Sequence, residues 1–281
     1  MTEPAPRVLI AGAGDVGLAL GAVLAQAGLT VTTLNRSGRA VAGATAAVGD
    51  ITDPASLVGI GEFDVVVFAA APDRREVPDN SAAYSAAYVD GPRHVLAALD
   101  RPPARALLVS TTGVYGDDDG RWITASSPPN PQTRTAEVVL DGEQRLAKMV
   151  PTTVIRAAGI YGPGRTHLID SVTSGRLGVS TGSADRWTNR IHRDDLVAAL
   201  ALASVHGAPP PLAIAVDNEP VPRDVVLRWL ADRLGVELTA DTDPAGRVHG
   251  KRCRNAELKD LGWAPAYASF REGYESMIET S

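Results

Sequence analysis

A succession of short apolar runs, each followed by a stretch with helical spacing, restricts the fold of this chain more than any other feature. From residue 7 it reads RVLIAG, then DVGLALGAVLAQAG with apolar residues at three- and four-residue intervals, then LTVTTLN. That order predicts a βαβ unit. The alternation continues through ATAAVGD (44–50), DVVVFAA (64–70), the helix-like SAAYSAAYVDGPRHVLAALD (81–100), ARALLVSTT (104–112), TAEVVLDGEQRLAKMV (135–150) and TTVIRA (152–157). Strands with so little polar alternation are covered on both faces. The expected class is therefore α/β, a doubly wound parallel sheet between helices rather than an antiparallel sheet with one wet side.

Composition excludes several functions. At 281 residues and 44% hydrophobic content the chain buries a full core. A net charge of −6, with Lys and Arg scattered, offers no basic stripe for a phosphate backbone, so nucleic acid is not an expected partner. The start, MTEPAPRV, carries an acidic residue and two prolines, and no apolar stretch approaches the roughly 20 residues needed to span a bilayer. No membrane association and a cytoplasmic location are expected. The single Cys253 cannot form an intrachain disulfide and lies among Lys251, Arg252 and Arg254, far from any Gly-rich turn; the five histidines lack metal-ligand spacing, so no metal is expected.

Gly12, Gly14 and Gly17 form G-x-G-x-x-G directly after the first strand and at the mouth of the first helix. The first glycine permits a tight turn, the second lets backbone amides approach a pyrophosphate, and the third allows close helix–strand packing. The amides of this bend, those of Asp15 and Val16 included, and the positive end of the helix then cradle a dinucleotide. Such folds usually end the second strand with a carboxylate that holds the ribose 2′-hydroxyl, but here the strand ends in Asn35-Arg36. A neutral side chain beside a guanidinium suits a 2′-phosphate, which favours NADP over NAD.

Beyond Ala157 the alternation weakens. A Gly/Pro-rich GIYGPGR (159–165) leads into a short helix at HLIDSVTSG, a polar loop over 180–190, a helix at HRDDLVAALALASV, a strand LAIAV and two later helices. The expected division is a Rossmann-type dinucleotide-binding domain over 1–157 and a smaller, closely packed C-terminal substrate lobe over 158–281, parts of which return to the first. Within this layout STTGVYG (110–116), RAAGIYGPGR (156–165) and NRIHRDDL (189–196) stand behind the Gly-rich turn, with GDITD (49–53), YVDGPRHVLAAL (88–99) and the tail KRCRNAELKDLGW. Together these resemble the extended short-chain dehydrogenase/reductases, the group of NAD-dependent sugar epimerases and dehydratases, over nearly the whole chain. The resemblance implies that Asp50 bonds the adenine amine and Ile51 packs beside the ring. It implies further that Ala69, Ala70 and Ala71 line the cofactor, that Thr111 is the family's catalytic Ser/Thr, and that Gly159 and Ile160 run along the nicotinamide. Dimerisation through the helices following the fourth and fifth strands is compatible with the Ala-rich stretch 81–99.

The chain departs from that family at two places: Ala11 stands in the first slot of the family's usual G-x-x-G-x-x-G turn, with Gly12 after it, and the stretch from Pro131 to Glu143 lacks two expected residues. The family follows a proline, four residues later, with Tyr, then at the same interval Lys, then Glu. Anchoring on Pro131 and Glu143 puts Thr135 where the Tyr belongs and Val139 where the Lys belongs. Lys lowers the phenol pKa and grips the nicotinamide ribose, so that Tyr exchanges a proton with substrate as hydride moves; Thr and Val do neither. Tyr115, Tyr161 and His192 are the candidate replacements, each weighed against a packing or structural role. Arg165, Arg190 and Arg252 are candidate substrate-binding cations for an anionic small molecule, weighed against surface ion pairing. Glu137 and Asp141 read as a solvated face. GVSTG around Ser180 fits a hydrolase motif but lacks the following helix. Two functions remain open: an NAD(P)-dependent oxidoreductase or epimerase/dehydratase with non-standard acid/base residues, and a cofactor-bound sensor or interaction protein without turnover.

Overall fold

The computed structural model describes residues 5–72, 80–116, 119–180, 186–241 and 249–279. β1 (Arg7–Ala11) is paired on both edges, with β2 (Thr30–Asn35) and with β4 (Val65–Phe68). β3 (Ala44–Val48) extends one side beyond β2, while β5 (Arg105–Thr111), β6 (Thr152–Ala157) and β7 (Leu212–Ala215) extend the other beyond β4. All six pairings are parallel, in the order β7-β6-β5-β4-β1-β2-β3. The connection direction reverses between β1 and β4, and the crevice beyond their C-terminal ends is where open α/β sheets take ligands.

Apolar residues on both faces of β1 explain its central place. Val8 and Ile10 join one core with Leu20 and Leu24 of α1 (Asp15–Gln26) and Leu196 and Leu200 of the helix Arg193–Val205. Leu9 and Ala11 join the opposite core with Val66, Phe68, Val95 and Leu146. Fully burying each such Leu or Val contributes about 1.5–3 kcal/mol.

The chain leaving β4 forms α2 (Asn80–Ser85), one π-helical turn (Ala86–Asp90) and α3 (Gly91–Ala98) without a break. Pro92 supplies a cause for the wide turn: it has no N–H for the Tyr88 carbonyl four residues back, and its ring crowds that carbonyl. The Gly91 amide accordingly reaches back five residues to the Ala86 carbonyl. α4 (Arg134–Met149) is capped by Thr133, whose hydroxyl accepts from the Ala136 amide at 3.2 Å.

Residues beyond 157 contribute to the sheet and to a separate core. β7 completes the sheet, and α6 (Arg193–Val205), coming after α5 (His167–Thr173), packs on α1. A third core joins Tyr161 and Val172 to α7 (Arg223–Leu234) and, past the short α8 (Ala256–Asp260), to Phe270 and Tyr274 of α9 (Phe270–Glu279). The expected polar loop over 180–190 is corrected in part. Arg186–Thr188 forms a strand between Val221–Pro222 and His249–Gly250, partners too distant in sequence to be legible locally; residues 181–185 lie outside the described residues.

Candidate active site

The Gly-rich bend has a geometry that only some of its residues could adopt. Gly12 has φ +81°, and a Cβ there would overlap Ala70 at the end of β4. Its amide and that of Ala13 are held by the Leu34 carbonyl at 3.1 and 3.0 Å. At Gly17 a Cβ would lie 3.1 Å from Ile10, so this glycine sets the helix–strand distance. Gly14 differs: a Cβ there would meet nothing within 4 Å, and no side chain caps the helix that begins at Asp15. Open space beside uncapped amides at the positive end of α1 fits a pyrophosphate. Val16 is buried in the core and offers only its backbone to that space.

The turn after β2 is built by Asn35. Its side-chain oxygen accepts from the Ser37 amide, the Ser37 hydroxyl and the Arg39 amide at 3.2, 3.0 and 2.9 Å, while its amide nitrogen donates to the Arg39 carbonyl at 2.7 Å. Asn35 therefore shapes the loop from within, and the exposed Arg36 and Arg39 are carried on it. Arg39 escaped the sequence reading although it lies only three residues past Arg36. Asp50 turns its carboxylate onto the Thr52 amide and hydroxyl at 2.9 and 2.8 Å. Ile51 is buried, its carbonyl bonded to His94 Nδ1 at 2.9 Å. Ala69 and Ala70 are half-buried and Ala71 exposed at the end of β4. Gly159 is exposed and Ile160 half-buried, on a short strand paired with Arg190–His192.

Thr111 ends β5 half-buried, and its hydroxyl oxygen accepts from the Gly113 amide at 3.0 Å. Its three companion candidates are all buried. Tyr115 is 2% exposed, its ring 4.7 Å below the Arg156 guanidinium, and burial pushes its phenol pKa up. Tyr161 points its hydroxyl at Gly273 of α9, inside the third core and stacked on Tyr274 at 4.4 Å; burial likewise drives its pKa up. Neither hydroxyl has a hydrogen-bond partner among the described residues. His192 is 1% exposed and caps α6, Nδ1 accepting from the Asp194 amide at 3.3 Å, with its pKa lowered by burial.

The three arginines have different partners. Arg165 Nε lies 2.7 Å from Asp15 Oδ2, tying the second lobe to the first turn of α1. Arg193, missed in the sequence although it adjoins His192, adds a bond to Asp15 Oδ1 at 3.2 Å. Arg190 is buried, 5.9 Å from the Phe270 ring centre, and its carbonyl accepts from the amide of the buried Asp217 at 2.8 Å. Arg252 lies between the rings of Trp122 and Trp187 at 5.0 and 4.7 Å and donates to the Gly120 carbonyl at 2.6 Å. Beside it Lys251 Nζ donates to the Gly116 carbonyl, in the loop that follows Thr111. Cys253 is buried, its thiol pushed up to about 12, which makes it a poor nucleophile.

The anomalous helix explains the missing pair structurally. Thr135 is half-buried, its hydroxyl 3.2 Å from that of Thr133. Val139 is fully buried in an apolar cluster with Val114, Tyr115 and Ile123, against which Tyr84 and Tyr88 pack. Below it Glu143 holds Arg156 through two bonds of 3.1 and 2.6 Å and accepts from the Ser110 hydroxyl.

Comparison with known proteins fits this geometry. The model of the NAD dependent epimerase/dehydratase family matches residues 8–215. The chain belongs to that family. That family binds NAD(P). A solved structure from Methylobacillus flagellatus is 34% identical, with TM-score 0.83 and 98% of each chain covered. A dTDP-4-dehydrorhamnose reductase of Mycobacterium tuberculosis (strain CDC 1551 / Oshkosh) is 33% identical over 211 residues, 72% of this chain and 66% of that enzyme. One of Streptomyces griseus is 28% identical over 171 residues, 59% of this chain and 54% of the enzyme, so this chain spans about half to two thirds of those relatives. MoeE5 in complex with UDP-glucose and NAD shares the fold at TM-score 0.78 and 21% identity, with 98% of each chain covered. No helix among the described residues is long and apolar enough to cross a membrane.

Proposed function

We propose that this family member is an NADP(H)-binding oxidoreductase acting on a sugar nucleotide or another anionic carbonyl or hydroxyl compound. The observation that carries the reading is the 12–17 bend: a glycine whose Cβ would overlap Ala70, then one with open space beside uncapped amides. The Asn35-built loop with Arg36 and Arg39 favours a ribose 2′-phosphate over a free hydroxyl. When bound, the dinucleotide supplies or accepts hydride. Thr111, whose oxygen already accepts from Gly113, keeps its own proton to donate to a substrate oxygen. A sugar-nucleotide substrate is supported by the dTDP-4-dehydrorhamnose reductases among the relatives.

A second reading, cofactor binding without turnover, rests on Thr135 and Val139 and on the burial of Tyr115, Tyr161 and His192. Calorimetry with NADP and NAD tests the shared premise. NADPH consumption with dTDP-4-dehydrorhamnose, other keto sugar nucleotides, keto acids and aldehydes separates the two: turnover supports the first, and tight NADPH binding without turnover supports the second. We further infer a cytoplasmic homodimer formed through the α3 and α4 faces, where Met149 is 44% exposed beside Val89 and Arg93; light scattering checks the dimer.

A further inference from the structure

Val139, at the position of the family's lysine, lies in a cluster on which a phenol from a different helix packs. A Cβ on Gly142 would overlap the Tyr88 carbonyl oxygen and stand 2.9 Å from its carbon, so Tyr88 and Gly142 are level across the α2–α3 and α4 interface. Both helical segments run from the C-terminal end of one parallel strand to the start of the next, and so point the same way. One turn of about 3.6 residues toward their N-termini brings Tyr84 level with residues 138–139. Tyr84 packs on the cluster that contains Val139, its ring stacked on Tyr88 at 5.9 Å and 19°. A short Val on one helix and a large phenol on the other exchange volume at this level. Tyr88 lies in the π turn at Ala86–Asp90, a helix irregularity that recurs at functional sites.

From this placement we propose that the Tyr84 hydroxyl is the proton donor of the site, delivered by α2 instead of α4. The proposal rests on the oxidoreductase reading above. Tyr84 lies nearer than Tyr88 to the sheet's C-terminal end, on the segment that leaves β4 beyond Ala69–Ala71. It is half-buried, unlike Tyr115 and Tyr161, whose hydroxyls are sealed in the interior. In a carbonyl reduction the C=O π bond breaks as hydride from NADPH reaches carbon, and Tyr84 gives its proton to the oxygen. The resulting phenolate takes a proton back from solvent. Such a donor needs no neighbouring cation in the reducing direction, because the phenol acts in its neutral form.

The test uses the full chain with its tyrosines labelled with ¹³C at the ring Cζ, the six resonances assigned by single Tyr→Phe variants. NADP is titrated while binding is followed by calorimetry. The expected result is a shift of the Tyr84 resonance with the calorimetric affinity. For the substrate found in the NADPH screen, Tyr84→Phe, which keeps the ring packing, should lower kcat by about 10² to 10⁴ with the NADP Kd unchanged. Heat of binding with a stationary Tyr84 resonance, or wild-type kcat in Tyr84→Phe, overturns the proposal and leaves the cofactor reading standing. No heat with NADP or NAD overturns both.

Discussion

Asp15 and Arg165, 150 residues apart in sequence, meet with Oδ2 and Nε 2.7 Å apart at the first turn of α1. The contact joins the Gly/Pro-rich turn after Tyr161 to the helix whose uncapped N-terminus is proposed to face the nucleotide, and Arg193 joins it from α6. A carboxylate at a helix N-terminus favours the helix dipole, but here it also holds two guanidinia beside the place proposed for phosphate.

Removing that carboxylate separates the two effects. Asp15→Asn should cost only about 0–1 kcal/mol, because each of these side chains is at least one-fifth exposed and such pairs are screened by water and salt. NADP affinity should rise at low ionic strength as Arg165 and Arg193 become available to the pyrophosphate. Isothermal titration at two salt concentrations checks this, and weaker binding in the variant would contradict it.

The glycines of the bend should divide by role. Gly14→Ala has an ordinary φ of −87° and free space for its methyl, so its melting temperature should match wild type while NADP affinity falls at least about tenfold, the equivalent of 1.4 kcal/mol. Gly12→Ala places a Cβ on Ala70 at φ +81° and should lose stability as well as binding. Thermal melts paired with calorimetry distinguish the two outcomes.

Glu143 and Arg156 are an ion pair with side chains 6% and 5% exposed. Glu143→Gln leaves the guanidinium buried without its counter-charge, at a cost of about 3–5 kcal/mol in a urea melt. A change within 1 kcal/mol, judged against that range, would mean that Arg156 is neutralised elsewhere.

Asp217 carries a pH signature. Burial pushes its carboxyl up to about 7 from 3.8, with Oδ2 lacking a hydrogen-bond partner among the described residues. At low pH both states hold the proton. Between 3.8 and about 7 the folded protein keeps a proton that the unfolded chain releases, so this group lowers stability as pH rises through that window, and its effect levels off above it. Asp217→Asn, which retains an oxygen for the Glu219 amide, should flatten this decline and melt higher than wild type at pH 8. An unchanged slope between the two proteins would show that Asp217 ionises freely in the fold.

Much of this protein was legible residue by residue. The apolar runs determined the parallel strands because a strand covered on both faces tolerates little else, and the 12–17 glycines marked the bend because only glycine permits its φ and its approach to Ala70. The loss of the Tyr/Lys pair was likewise visible in the order of letters from Pro131 to Glu143. What tertiary structure alone decided is where long side chains end: Tyr161 against Gly273, Arg165 on Asp15, Tyr115 under Arg156, and Tyr84 on the cluster that holds Val139. Local sequence records which residue leaves the backbone and in what conformation. It does not record which distant helix stands opposite, and in a packed interior that neighbour determines whether a phenol or a guanidinium reaches solvent, a partner or a ligand.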